Sequence, residues 1–250
     1  MTKTLGLIGA GNIGSALARL AVAAGLNVVL SNSRSPETLA DLVAELGEQA
    51  RAATPTEAAQ AGDLVVATIP LSSYDKLPAA ALAGKTVIDT MNYYPDRIGH
   101  IAELDAGGLT SSTLVQRHLA DSRVVKAFNS IDYVRLFTSA RPAGDDDRSA
   151  LPIAGDDTAA NAQVAELLDA LGFDAVDVGT LDDSWRSEPG TPVYVQPYLP
   201  AQPEGMTDEE KWHWFLDSPV VPVPAAKVRE LTATTVRRTA GDTRATLSQD

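Results

Sequence analysis

The segment Gly9-Ala10-Gly11-Asn12-Ile13-Gly14 constrains this chain more than any other feature, because it joins an apolar run, residues 4–8, to an alanine- and leucine-rich stretch, residues 12–24. A G-x-G-x-x-G turn between a strand and a helix has a mechanism. The first glycine permits the tight turn, the second lets the backbone approach a pyrophosphate, and the third lets helix pack against strand. The start of the helix then presents free amide groups and a partial positive charge to phosphates. Gly9 to Gly14 are therefore expected to cradle a dinucleotide.

Beyond this turn, short apolar runs alternate with helical patterns as far as residue 178, which predicts repeated βα units. Strands are expected at residues 4–8, 27–30, 64–69, 86–89, 123–127, 151–154 and 175–178, with a weaker one near Arg51. Continuously apolar stretches such as Val65-Val66-Ala67 suit strands covered on both faces. Asp156 or Asp157 is placed to cap a helix whose apolar positions Val164, Leu167, Leu168 and Leu171 precede Gly172. The fold class is thus α/β: a doubly wound, mostly parallel sheet, the Rossmann fold, followed by a proline-rich carboxyl-terminal arm with short helices.

The arm begins after Ser184, dividing the chain into a cofactor-binding domain of residues 1–184 and an appendage of residues 185–250. Eight of the 15 prolines fall between Pro189 and Pro224, a density that excludes long helices and central strands. Thr207 and Glu210 have capping-box spacing ahead of residues 211–216, and residues 224–240 form a second helix candidate ending at Gly241. Trp185, Trp212 and Trp214 are expected to anchor the arm by packing. An extended apolar strap folds poorly on itself, so it is expected to dock on a second subunit in a homodimer.

The end of the second strand bears on the choice of cofactor. Enzymes for NAD usually carry Asp or Glu there, and a carboxylate repels a 2′-phosphate. Here the residues are Ser31, Asn32, Ser33, Arg34 and Ser35, in which Arg34 offers a planar fork to a phosphate and the serines offer further donors. NADP(H) is the expected cofactor. Ligands of open α/β sheets sit at the carboxyl ends of the strands. Thr68, Ile69 and Pro70, then Asn92, and then Lys126, Ala127, Phe128 and Asn129 are accordingly expected to border the ribose and nicotinamide. Lys126 could instead be a strand lysine with a packed stem and a solvated ammonium.

Composition removes other classes. With no cysteine, thiolate catalysis, disulfides and iron-sulfur sites lack their ligand atom, and three scattered histidines (His100, His118, His213) make a His-based metal site improbable. A net charge of -13, with no basic cluster, argues against nucleic acid as a partner. The acidic run from Gly144 to Asp147 reads as a solvated loop. No apolar run approaches the roughly 18 to 20 residues of a membrane span, so a cytoplasmic protein acting on a small redox substrate is expected. No tyrosine is followed four residues later by lysine, and there is no G-x-S-x-G turn. Catalysis would depend mainly on proximity and orientation of two rings.

The chain resembles the family of NADP oxidoreductases dependent on coenzyme F420, a 5-deazaflavin, which also looks like the cytosolic domain of membrane ferric reductases. The resemblance covers about residues 3–186. It is carried by Gly9 to Gly14, Ser33-Arg34, Thr68-Ile69-Pro70, the octapeptide VVKAFNSI at residues 124–131, Ala154-Gly155-Asp156-Asp157, and residues 177–181 before Ser184. It implies hydride exchange between NADPH and coenzyme F420 as co-substrate. Ala10 to Ile13 would hold the pyrophosphate, Ser33 and Arg34 the 2′-phosphate, Ile69 and Pro70 the nicotinamide side, and Ala127 to Asn129 the pocket wall. The sequence departs from the family after Trp185. An NADPH-dependent reductase of a flavin, imine or carbonyl compound is the alternative enzyme, and a non-catalytic NADP(H) sensor the alternative from another class.

Overall fold

A computed structural model of the chain describes residues 3–237. Its strands are β1 (Thr4–Ile8), β2 (Asn27–Ser31), β3 (Ala50–Ala52), β4 (Leu64–Ala67), β5 (Thr86–Asp89), β6 (Arg123–Lys126), β7 (Ala150–Gly155) and β8 (Asp174–Asp177). They form one sheet in the order β3-β2-β1-β4-β5-β6-β7-β8. Every adjacent pair is parallel except β6 with β7, which run antiparallel with Val125 opposite Gly155. The mostly parallel α/β sheet expected from the apolar runs is therefore present.

Helices fill the connections. They are α1 (Asn12–Ala23) after β1, α2 (Ala40–Leu46) after β2, α3 (Pro55–Ala61) after β3 and α4 (Ala79–Leu82) after β4. Between β5 and β6 lie α5 (Pro95–Ile98), α6 (Ala102–Asp105) and α7 (Ser111–His118); α8 (Tyr133–Thr138) precedes β7 and α9 (Thr158–Ala170) joins β7 to β8. Two more, α10 (Asp208–Asp217) and α11 (Ala225–Ala233), follow β8.

Strand side chains alternate between two faces, and the core divides accordingly. Val66, Ile88 and Val125 pack with α1 and α9 on one face, whereas Val65, Val87 and Val124 pack with Leu114 and Val115 of α7 on the other. In α1 the residues Gly14, Leu17, Ala18 and Ala21 are buried. Their i, i+3, i+4, i+7 spacing is the stripe a helix needs to lie on a sheet. Asp157 caps α9 by accepting from the Ala160 amide at 2.8 Å, as its position suggested.

Several boundaries differ from the sequence reading. β4 ends at Ala67 rather than at residue 69, which leaves Thr68, Ile69 and Pro70 as a turn outside the ladder. The weak strand near Arg51 is a three-residue edge strand. α10 starts at Asp208, directly behind the Thr207–Glu210 capping box. α11 ends at Ala233, short of the expected Ala240; residues 238–241 lie outside the described residues.

The larger difference is the proline-rich segment, which folds back on its own chain. Val193, Tyr198, Val223 and Val228 are buried in the core shared with β7 and α9. The Tyr198 hydroxyl donates to the Ala150 carbonyl at 2.9 Å, and the Ala150 amide donates to the Val223 carbonyl at 2.7 Å. Prolines stop the segment from joining a ladder, yet single apolar residues between them are enough to plug into existing surface. The argument that this strap needs a second subunit to bury it is thus corrected for these residues. α10 is the exception, for no residue of it is buried, and Trp212 is 54% exposed while stacking on Phe215. Trp185 and Trp214 are half-buried, so the packing role expected of the tryptophans fails for Trp212.

Tyr198→Ala is expected to lose about 3–5 kcal/mol of stability, as for truncation of a large core aromatic. Tyr198→Phe, which removes only the hydroxyl, should lose about 1 kcal/mol. Urea unfolding of the three proteins measures both; equal losses would mean that packing contributes little at this position.

Candidate cofactor and substrate site

At the carboxyl end of β1 the chain turns with Gly9 at φ 112°, a conformation that side chains disfavour. A Cβ on Gly9 would lie 2.2 Å from the Thr68 carbonyl oxygen, and one on Gly14 would lie 2.1 Å from the Gly9 carbonyl oxygen. These two glycines are thus explained by protein packing. Gly11 is not: among the described residues no atom lies within 4 Å of where its Cβ would stand, and its φ of -79° suits any residue. Gly11 caps α1 without a side-chain hydrogen bond, so the first amides of this twelve-residue helix face outward unpaired by a cap. An exposed glycine in front of uncapped amides is a cradle that a Cβ would fill, and it suits the close approach of a diphosphate.

The loop after β2 divides its side chains between two tasks. The Ser31 hydroxyl is buried and donates to the Leu7 carbonyl at 2.9 Å, tying β2 to β1. Asn32 accepts from the Arg34 amide at 2.9 Å and donates to the Thr38 hydroxyl at 2.9 Å, which shapes the loop from within. Ser33 and Arg34 are exposed, and among the described residues no carboxylate pairs with the Arg34 guanidinium.

The ends of β4, β5 and β6 carry the other expected residues. Thr68 and Ile69 are half-buried and Pro70 is exposed beside the Gly9 turn. Asn92 and Asn129 bond to each other: Asn92 Nδ2 donates to the Asn129 carbonyl at 2.9 Å, and Asn129 Nδ2 donates to Asn92 Oδ1 at 3.2 Å. Ala127 and Phe128 are buried between them and β6, and Phe128 has φ 60°.

Lys126 requires a correction, since it fits neither a cofactor contact nor a solvated strand lysine. Its side chain is 1% exposed, and the ammonium lies 3.3 Å from Asp89 Oδ2 and 3.1 Å from the Ser111 hydroxyl, with a further bond to the Met91 carbonyl. A buried ammonium needs such partners, and here they occupy its three donor positions. Asp89 in turn accepts from the Met91 amide at 2.8 Å and the Ser112 hydroxyl at 2.7 Å.

The sequence reading missed the groups that later chain brings to this edge. Glu188, 6% exposed, accepts from the Ser111 amide at 3.0 Å and its hydroxyl at 2.7 Å. The Ser187 carbonyl accepts from Asn129 Nδ2 at 2.7 Å. The hydroxyls of Tyr94 and Tyr194 are hydrogen-bonded to each other, and burial together with this neighbour raises Tyr194 well above the ordinary phenol range. No local spacing links residues so far apart. Among the described residues no cluster of three His, Cys, Asp or Glu side chains could hold a metal, and no helix is long and apolar enough to cross a membrane.

Residues 4–93 match the family described as NADP oxidoreductase, coenzyme F420-dependent. A hypothetical protein from Sinorhizobium meliloti is 32% identical, with a TM-score of 0.67 over 78% of this chain and 93% of that one. The chain belongs to this family. A structure from Arthrobacter described as an F420-dependent NADP-reductase shares the fold at 24% identity and a TM-score of 0.60, covering 72% of this chain and 86% of that one. The metalloreductase STEAP3 of Rattus norvegicus is 31% identical over 180 residues, 71% of this chain and 34% of the relative, so the chain spans about a third of that relative's length.

In this family member the buried pair generates a stability prediction. Lys126→Met leaves the Asp89 carboxylate buried without its cation and is expected to cost about 3–5 kcal/mol in urea unfolding. Adding Asp89→Asn should recover part of that loss, because the charge left uncompensated is removed. A double variant no more stable than the single one would contradict this account.

Proposed function

We propose that the chain binds NADP(H) across the carboxyl ends of β1, β2, β4, β5 and β6 and transfers hydride between it and a small acceptor, a deazaflavin such as coenzyme F420 being the first candidate. The observation that carries the reading is the pairing of two features: a Gly11 cradle that no contact among the described residues explains, and, in the loop after β2, an Arg34 with no carboxylate partner among the described residues. The amides of Ala10, Gly11, Asn12 and Ile13 bind the pyrophosphate. Ser33 and Arg34 bind the 2′-phosphate through charge-assisted bonds. Ser31 and Asn32 hold that loop in shape, since their side chains already have protein partners. Ile69 and Pro70 cover one side of the nicotinamide, and Asn92, Ala127, Phe128 and Asn129 form the wall beyond it.

Bound NADPH supplies a hydride from its reduced ring. The protein's part is to fix that ring against the acceptor, and the interlocked amides of Asn92 and Asn129 give a wall with little freedom to move. Residues 1–184 hold the cofactor in this reading. The segment after Ser184 closes the substrate edge through Ser187, Glu188 and Tyr194.

Mixing the protein with NADPH and the oxidised deazaflavin coenzyme should bleach both absorbances together. Absence of turnover where NADPH demonstrably binds would sink the deazaflavin assignment. Arg34→Ala deletes bonds to the 2′-phosphate worth about 1.5 to 3 kcal/mol, so NADPH affinity should fall roughly ten- to a hundredfold while NADH hardly responds. Dissociation constants at one fixed salt concentration test this. Gly11→Val should weaken NADPH and NADH alike while lowering the thermal midpoint only by the small cost of a poorer helix cap, because the side chain meets cofactor and not protein. If it unfolds the chain or leaves binding intact, the cradle is misassigned.

A further inference from the structure

The loop that carries Ser33 and Arg34 is closed on itself by Thr38, a residue that belongs to no motif. The Thr38 hydroxyl donates to the Ser35 carbonyl at 2.7 Å and accepts from Asn32 Nδ2 at 2.9 Å. The Thr38 amide donates to the same carbonyl at 3.1 Å. From the other side, Asn32 Oδ1 accepts from the Arg34 amide at 2.9 Å, a turn in which a side chain takes the place of a backbone carbonyl. The Arg34 amide fixes which way Asn32 points, because only the oxygen of its side chain can accept.

Both ends of this ring are anchored in the fold. Before it, the Gly9 amide donates to the Ser31 carbonyl at 3.0 Å, so the loop starts against the glycine turn. After it, Leu39 is buried in the core between β2 and α2. Ser33 and Arg34 stand exposed on the arc between the anchors. The neighbouring carboxyl of Glu37 is held below the usual carboxylate range by the Ser35 hydroxyl and by its own backbone amide, so it is stabilised as an anion without drawing on Arg34.

The Thr38 hydroxyl is fully committed. A hydroxyl carries one hydrogen, and this one goes to Ser35, which leaves none for a ligand. What Thr38 does is fix the Arg34 backbone before any ligand arrives. A loop free to move has to be ordered at binding, and a loop ordered beforehand loses less affinity to that ordering.

Resting on the 2′-phosphate reading of Arg34 above, we propose that Thr38 is a positioning residue that sets the preference for NADPH over NADH. Its hydroxyl, through Asn32 and Ser35, holds the loop in the shape from which Ser33 and Arg34 reach a phosphate. NADH has no phosphate to meet them and gains nothing from the ring.

The test is a double-mutant cycle on the full chain, read as dissociation constants for NADPH and NADH at one fixed salt concentration. Thr38→Val keeps the side-chain shape and removes the hydroxyl. NADPH affinity should then fall about three- to tenfold, the worth of one neutral hydrogen bond, with NADH unchanged. Thr38→Ser brings the hydroxyl back and should restore the preference. In an Arg34→Ala background, Thr38→Val should have little further effect on NADPH, since the group it positions is gone. Unchanged NADPH affinity in Thr38→Val, an equal fall for both nucleotides, or losses that multiply in the double variant overturns the proposal, and the 2′-phosphate reading stands as long as Arg34→Ala alone weakens NADPH selectively. If Arg34→Ala does not separate the two nucleotides, that reading falls and this proposal falls with it.

Discussion

An ammonium removed from water has to be satisfied by protein, and the way Lys126 is satisfied organises half of the site. Its partners Asp89, Met91 and Ser111 come from the end of β5, the turn after it and the start of α7. Each ion of such a pair loses several kcal/mol of hydration, which only close and complete partnering offsets. The turn from Asp89 to Asn92 is consequently held at both Met91 groups, and Asn92 is delivered to Asn129 in a fixed place. Ser111 passes the constraint on to Glu188, and so to the chain beyond β8.

The other half of the carboxyl edge is organised by contact, with no charge inside it. Gly9, Gly14 and Thr68 approach so closely that any Cβ at the first two would overlap backbone oxygen. Steric fit fixes the start of α1 over β1 and β4 while its amides stay free for a ligand. The edge therefore has a backbone-lined side suited to phosphates and a side-chain-lined side suited to the reacting rings. In the proposed reading, a diphosphate recognised by backbone tolerates change in side chains, whereas the wall of Asn92 and Asn129 depends on particular amides.

This division also sets what the sequence made legible. The glycine turn, the strands and the caps at Asp157 and Thr207 are local, and each was visible in residues next to one another. The antiparallel β7 was not, because an apolar run reads the same in either direction. The buried pair joins Asp89 to Lys126, two polar residues closing apolar strands, and that shared position was the one signal available. The match at Asp156 and Asp157 carries family resemblance, yet these carboxylates accept the Leu181 and Ala160 amides and serve packing. Tyr94 and Tyr194 had no signal at all, since only the folding back of the proline-rich segment brings them together.

Backbone strain argues that this late segment belongs to the site. Among the described residues only Phe128 and Val195 combine a side chain with positive φ, 60° and 58°. Such conformations cost about 1–3 kcal/mol each and persist only where neighbours over-determine them. For a β-branched residue like Val195 the conformation is a genuine outlier. Phe128 lies between Lys126, which joins the buried network, and Asn129, which meets Asn92. Val195 turns the later segment so that its amide reaches Ser130 and its neighbour Tyr194 reaches Tyr94. Both strained residues thus lie at one seam, and the geometry they hold is the wall and the phenol pair. A segment added only to cover surface would have no reason to hold that strain where the two parts of the chain join.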